Sequence, residues 1–486
     1  MQSADFDLDM RLLSASAIAL CAISLSIVWR VISSHRNNAF KEDIAVDDNW
    51  IIQRLNLPET FEFHRYRMKV REQEDMRRKG VVLMQKYLDV STPLATINKS
   101  EGNVTLPPSS EQMSAHVPSF RHLNTEETQF LVLGLATKFD DIIPVLNDMR
   151  RWLSRTRTRL LILVTDKTCF VREREAVDKV YARAAELEIR VELFPYTVPE
   201  ETDFTREWGF VDRLFSEAVN EPKAKWVGII EEETFFVSLP QLMDTLTQFD
   251  HTKPLYLGQL SESWSRVTHE GMKACGGAGV FVSVPLLAAA LGELDMCNAF
   301  EKGLNHVRWR DCIYNITDPR VRLTQVEGLN QLDFRGDLSG WYEAGHEKLL
   351  SLHHWKSRHS HPVPAAHMVT DIAGPDSFLE RYIWPADRVI LTNGYSIVKY
   401  PMGVPDIRTP ELTMVEDGST EKAPDWKEFH HSLGSTRPAL EIGVEKVSWK
   451  FVNAWKDRKG NVRQFYVRYG AGDGEKASVI EIDWVA

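Results

Sequence analysis

Between residues 129 and 233, short apolar runs alternate with amphipathic stretches. The runs are QFLVLGLAT (129–137), RLLILVTD (159–166), RVELFPY (190–196) and KWVGIIEEE (225–233), and each is predicted to be a β-strand. The intervening FDDIIPVLNDMRRWL, VREREAVDKVYARAAELEI and EWGFVDRLFSEAVN carry mostly helical spacing, interrupted in the first by Pro144. Strands and helices alternating at this interval predict βαβ units and an α/β fold with a mixed, mostly parallel, buried sheet. Ligands of such sheets bind outside the carboxyl ends of the strands. That rule singles out Ala136 and Thr137, Thr165 and Asp166, and Glu231, Glu232 and Glu233.

The flanks of this body read differently. Leu12 to Trp29 is uncharged, long enough for a membrane-spanning helix, so a tail over 1–11 and an anchor over 12–33 are expected. Asp5, Asp7 and Asp9 precede the run against one Arg11, which disfavours a cleaved signal peptide. Residues 34–125 read as a stem: FHRYRMKVREQEDMRRKGVVLMQKYL is charged and rich in helix formers, predicting an exposed helix. STPLATINKSEGNVTLPPSSEQ then has the composition of a linker. The body is placed over 126–404. Beyond it, KVSWKFVNAW, RQFYVRYG and SVIEIDWV read as strands of a small β-rich extension over 405–486.

Composition narrows the function classes. With 43% hydrophobic and 26% charged residues, the chain has the make-up of a globular protein with a large core. A net charge of -11 argues against a nucleic-acid partner, whose binding needs clustered Lys and Arg. Of five cysteines, Cys21 falls in the anchor, leaving Cys169, Cys275, Cys297 and Cys312; none forms a C-x-x-C pair, which disfavours a zinc ribbon. No G-x-G-x-x-G follows the first strand and no P-loop motif occurs. Asn98, Asn103 and Asn315 head N-x-S/T sequons, candidate glycosylation sites. Arg30, Arg36 and Lys41 follow the anchor, and their charge alone would put the C-terminal side in the cytosol.

The acidic triplet holds the candidate chemistry. On an extended chain Glu231 and Glu233 share a face and Glu232 points away, so the first two suit a hard divalent ion bridging to phosphates. A solvated acidic turn is the plainer alternative.

This triplet followed by TFF resembles the D-x-D segment of metal-dependent nucleotide-sugar transferases of the GT-A fold. KPLYLGQLSES, CGGAGVFVS, GLNQLDFRGDLSGWYE, LSLHHWKS and LTNGYSIVKYP follow in that order. Together they resemble the Fringe-like family 31 β-1,3-glycosyltransferases, in particular the fungal branch, over about residues 130–402. The resemblance implies a single-pass type II Golgi membrane protein with a luminal catalytic domain. It also implies an inverting mechanism, a UDP-sugar donor with galactose the first guess, a glycan or glycoprotein acceptor, and Mn2+ or another divalent metal.

Carried over by residue, Ala136, Thr137 and Asp166 would lie near the uridine, and Glu231 and Glu232 beside the donor. Glu231, Glu233 and His353 would hold the metal, Glu233 being the preferred carboxylate; His354 is a weaker candidate. Gly276, Gly277, Ala278 and Gly279 would form the loop passing close to donor and acceptor. The resemblance also suggests a disulfide between Cys297 and Cys312. Two departures stand out: all three triplet residues are Glu, and GLNHVRWRDC puts His306 where the family has its catalytic Asp. His306 is therefore the candidate base, its ordinary pKa of about 6.5 suiting proton abstraction. The same departures motivate an alternative, a catalytically weakened homologue that binds nucleotide sugar or glycoprotein as a Golgi partner or chaperone.

Overall fold

The computed structural model describes residues 47–85, 87–101, 104–109, 112–120, 124–166, 174–195, 214, 216–219, 221–293, 296–297, 305–415, 430–470 and 476–486. All of them belong to one compact unit, Asp47–Ala486. The anchor expected over 12–33 lies outside the described residues. Among the described residues no helix is long and apolar enough to cross a membrane.

The apolar runs of the central body form a mixed, seven-stranded sheet, as their alternation predicts. Its strands are numbered here β1 (Leu131–Thr137), β2 (Arg159–Val164), β3 (Arg190–Pro195), β4 (Trp226–Ile230), β5 (Tyr256–Gly258), β6 (Val280–Ser283) and β7 (Leu323–Gln325). They lie in the order β7-β5-β6-β4-β1-β2-β3. β1 pairs in parallel with β2 and β4, β2 with β3, and β5 with β7, whereas β6 runs antiparallel to β4 and β5. Helices α1 (Ile142–Leu153) and α2 (Arg174–Glu186) follow β1 and β2. α1 buries Ile142, Val145, Leu146, Met149 and Leu153, the one-sided spacing of an amphipathic helix. Pro144 falls within its first turn, where the backbone N–H has no intrahelical partner to lose, so the helix is not broken.

The exposed helix expected over residues 63–88 is not formed. Thr60–Gln73 is a fourteen-residue strand, and Val81–Leu83 another. Both belong to a ten-stranded sheet whose order begins Val81–Leu83, Arg381–Trp384, Val389–Thr392, Ser396–Lys399, Val447–Lys456. It continues through Val462–Arg468, Ala477–Val485 and Thr60–Gln73, which is flanked further by Ala95–Asn98 and Gln112–Pro118. Residues on both sides of positions 125 and 404 thus share one sheet. The reason lies in the alternation: Tyr66, Met68 and Val70 are buried on one face. Arg65 and Arg67 between them stand opposite Glu481 and Asp483 and bond to them. The charges that suggested a solvated helix are cross-strand partners.

Candidate functional site

The carboxyl edge of the seven-stranded sheet brings the expected residues into one neighbourhood, in a different arrangement from the one predicted. The backbone leaves the extended conformation at the end of β4: the Thr234 amide donates to the Glu231 carbonyl at 3.0 Å and closes a turn. Thr234 Oγ1 accepts from the Glu231 amide at 2.9 Å. A turn abolishes the two-residue alternation, so Glu231 and Glu233 do not share a face. Glu231 Oε2 lies 3.1 Å from His353 Nε2. Glu232 accepts from the Thr137 hydroxyl at the end of β1. Glu233 Oε2 accepts from the Ser357 amide at 3.1 Å and its hydroxyl at 2.7 Å.

The glycine loop packs directly on the first of these pairs. A Cβ on Gly276 would come within 2.7 Å of the Glu231 carboxylate, and one on Gly277 within 2.3 Å of the His353 ring. Neither position admits a larger side chain as the loop stands. Thr234 Oγ1 donates to the Gly277 carbonyl and Ser351 Oγ to that of Ala278, tying the loop to the turn after β4 and to the strand that leads into His353. Gly279 closes the loop at φ +95°, a conformation glycine adopts at little cost. Near β1 and β2, Asp166 Oδ1 accepts from the Phe139 amide at 2.8 Å. Ala136 is partly buried and Thr137 buried.

His306 lies on helix α3 (Asn305–Ile316), but its side chain is outside the described residues. Asp311, five residues on, is paired with Arg310. Cys297 and Cys312 form a disulfide across the segment that precedes and includes this helix. Cys275 is a buried free thiol whose pKa burial pushes up, with the charges of Asp333, Glu262 and Glu231 acting in the same direction. Asn98 accepts from Ser100, Asn315 donates to the Asp311 carbonyl, and Asn103 lies outside the described residues.

Residues not singled out in the sequence complete the neighbourhood. Gln331 Oε1 accepts from the Ala278 amide at 2.8 Å while its Nε2 lies 3.3 Å from His353 Nδ1. Two residues on, Asp333 meets His354 at 3.4 Å and Arg266 at 2.8 Å, and accepts from the Ser261 hydroxyl. Burial alone would raise the Asp333 pKa, but its contacts with His354, Arg266 and Ser261 outweigh it and hold the carboxyl well below the usual range. Glu262 accepts from the Asp333 amide, and burial with the Asp333 charge pushes its pKa up to about 7. Beside this pair opens a polar cleft of about 390 Å3, lined among others by Gln259, Ser261, Glu262, Asn330, Trp341 and His431. The signal for Gln331 and Asp333 was present in GLNQLDFRGD. Asp337 of the same stretch instead accepts from Ser339 and shapes a turn. Trp341, Tyr342, Trp355 and Tyr395 are buried, and Tyr342 stacks on Tyr395 at 4.2 Å.

The expected metal set, Glu231, Glu233 and His353, does not converge. Among the described residues no group of three or more His, Cys, Asp or Glu side chains is placed to hold an ion. Glu233 is turned to Ser357, and His353 meets an amide donor on the nitrogen facing away from Glu231. A histidine that ligates metal donates from that nitrogen. The donor set fits a divalent ion through the Glu231 carboxylate but not through the full trio.

A family described as "Protein of unknown function, DUF604" matches residues 266–368, a stretch containing Gly276–Gly279, Gln331, Asp333 and His353. No curated protein matches the chain. Solved structures with related traces include a mannosyltransferase, PcManGT, from Pyrobaculum calidifontis in complex with GDP-Man and Mn2+. It is 11% identical, covers 51% of this chain and 67% of that one, and gives a TM-score of 0.28. A glycosyltransferase involved in glycosylating the major capsid of PBCV-1 is 10% identical over 46% of this chain and 92% of its own, with a TM-score of 0.26. Mouse xyloside xylosyltransferase 1 is 8% identical over 44% and 88%, with a TM-score of 0.27. At these scores the overlaps carry no argument about this chain's chemistry.

Proposed function

We propose that this chain is an inverting glycosyltransferase that takes a hexose from a UDP-sugar and attaches it to a hydroxyl of a glycan or glycoprotein. One observation carries the reading. Glu231 and His353, more than a hundred residues apart, meet at the carboxyl edge of a mostly parallel sheet beneath a loop whose glycines leave no room for a Cβ. A loop stripped of side chains lets backbone approach a ligand closely, and the strand edge is where such sheets bind nucleotides.

In this reading the donor lies along Thr137, Asp166 and the Gly276–Gly279 loop, and galactose remains the first sugar to try. The polar cleft beside Glu262 and Trp341 receives the acceptor. His306 takes the proton from the attacking hydroxyl, which forms a bond to the anomeric carbon as the bond to the departing UDP breaks. Mn2+ or a similar ion, carried by Glu231 and the donor's own phosphates, would neutralise charge on the leaving diphosphate. We place the protein in the Golgi membrane, anchored by residues 12–33 with its body luminal, and the Cys297–Cys312 disulfide supports an oxidising compartment.

The test is calorimetric titration of UDP into the full-length protein with Mn2+ and then with EDTA, followed by UDP-sugar hydrolysis. Binding with turnover that His306→Ala abolishes is the expected result. Binding without turnover, with any acceptor tried, would favour a nucleotide-sugar-binding homologue, for which the diversion of Glu233 to Ser357 speaks. No binding in either condition would remove the donor site altogether.

A further inference from the structure

His353 is almost fully buried, and its two ring nitrogens face different partners. Nε2 lies 3.1 Å from the Glu231 carboxylate. Nδ1 lies 3.3 Å from Nε2 of Gln331, an amide nitrogen that can only donate. The orientation of that amide is set independently, because its oxygen accepts from the Ala278 N–H at 2.8 Å. Turning the amide over would point its NH2 at the Ala278 N–H and leave donor facing donor. Gln331 is itself buried, so water has little room to relieve such a clash.

A nitrogen met by a donor must present its lone pair. The ring proton therefore sits on Nε2, on the side of Glu231. We propose that Gln331 fixes His353 in the Nε2–H tautomer, which makes His353 a donor that positions Glu231 and leaves the imidazole itself no lone pair for a divalent metal. Gln331 is thus a positioning residue acting through His353. Metal-bound histidines show the opposite arrangement, with the outer nitrogen donating to a carboxylate or carbonyl so that the inner lone pair reaches the ion. The proposal rests on the donor-site reading for its catalytic meaning; the tautomer stands on the contacts alone.

One atom distinguishes this arrangement from a ligand histidine. Gln331→Glu keeps an oxygen for the Ala278 N–H and offers a second oxygen to an Nδ1–H, which would free the Nε2 lone pair. The experiment titrates the full-length protein with Mn2+ alone, without nucleotide, and follows the paramagnetic resonance signal of the free ion. Gln331→Glu is expected to tighten Mn2+ binding by about 10- to 100-fold. The gain should vanish in the Gln331→Glu, His353→Ala double variant, where no imidazole remains to take up the ion. No gain in Gln331→Glu, or a gain that survives in the double variant, would overturn the proposal.

Should a variant fail to fold, the unmutated protein decides. Long-range 1H–15N spectra of its imidazoles report which His353 nitrogen bears the proton: an Nε2–H signature supports the assignment and an Nδ1–H signature sinks it. UDP binding is measured separately, so loss of the donor-site reading and loss of this proposal are distinguishable.

Discussion

The two large sheets solve the burial of charge in opposite ways. The seven-stranded sheet draws its strands from one continuous region, residues 131–325, and presents the acidic residues of the candidate site at its carboxyl edge. β1 and β2 are near-continuous apolar runs, as expected for strands covered on both faces. The ten-stranded sheet gathers strands from 60–118, 381–399 and 447–485 and carries ion pairs within its surface. Glu481, almost wholly buried, lies 2.8 Å from Arg65 and 2.6 Å from Arg463, and Asp48 lies 2.7 Å from Arg463. Charge at an edge is available to a ligand, whereas charge sealed between strands holds distant parts of the chain in register.

That contrast is most sharply tested at Glu481. Glu481→Ala leaves two largely buried guanidiniums with Asp48 as the carboxylate they still share, and denaturant unfolding should show a loss of about 3 kcal/mol. The partly exposed Glu192, paired with Arg159 on the first sheet, is the control: its Ala variant should cost less than about 1 kcal/mol.

Beside each sheet lies a buried glutamate with a strongly raised pKa, Glu262 near the site and Glu380 near Arg78, both pushed up to about 7 mainly by burial. Their folded values exceed the ordinary 4.5, so the native state holds their protons longer than the unfolded chain does. The stability they contribute is full below pH 4.5 and is lost as pH rises through about 7. Unfolding midpoints followed across that window should fall by an amount worth up to about 3 kcal/mol per group. Glu262→Gln should flatten its share while leaving that of Glu380. An unchanged slope would mean that Glu262 is ionised throughout.

A smaller effect is expected at the loop. Gly277→Ala drives a methyl into the His353 ring and should cost about 1–3 kcal/mol by thermal unfolding, with weaker UDP binding. Smallest is the difference between two neighbouring carboxylates. Glu231→Gln should weaken UDP binding in Mn2+ by about tenfold, roughly 1.4 kcal/mol, and Glu233→Gln by much less. Equal losses would mean that both carboxylates serve the donor despite the turn.

The legible parts of the molecule were those whose pattern is local. Apolar runs separated by amphipathic helices announce β1 to β4, and the strand-edge rule points to Thr137, Asp166 and Glu231, which lie at the ends of those strands. Thr60–Gln73 is ambiguous in sequence because RYRMKVR carries two signals at once. Its Arg and Lys side chains favour a solvated helix, while their placement at every second position is a strand period, and only Glu481 and Asp483, some four hundred residues later, decide between them. At the site, the turn closed by Thr234 is invisible to a rule that assumes an extended chain and puts Glu231 and Glu233 on one face. Gln331 is silent in sequence because an amide carries no charge, and its contacts depend on which of its two atoms faces Ala278.

The pairing of Thr60–Gln73 with Ala477–Val485 also sets a timetable for the growing chain. Arg65 and Glu481 are 416 residues apart, and a ribosome adding roughly 5–20 residues per second needs roughly 20–80 s to make the second after the first. Throughout that interval the early strand, with Phe61, Phe63 and Met68 destined for full burial, lacks Ala477–Val485, the strand it pairs with along nine residues. The seven-stranded sheet can be complete before the last six strands of its larger companion are synthesised. Until the last strand emerges, the protein must guard an open, sticky edge.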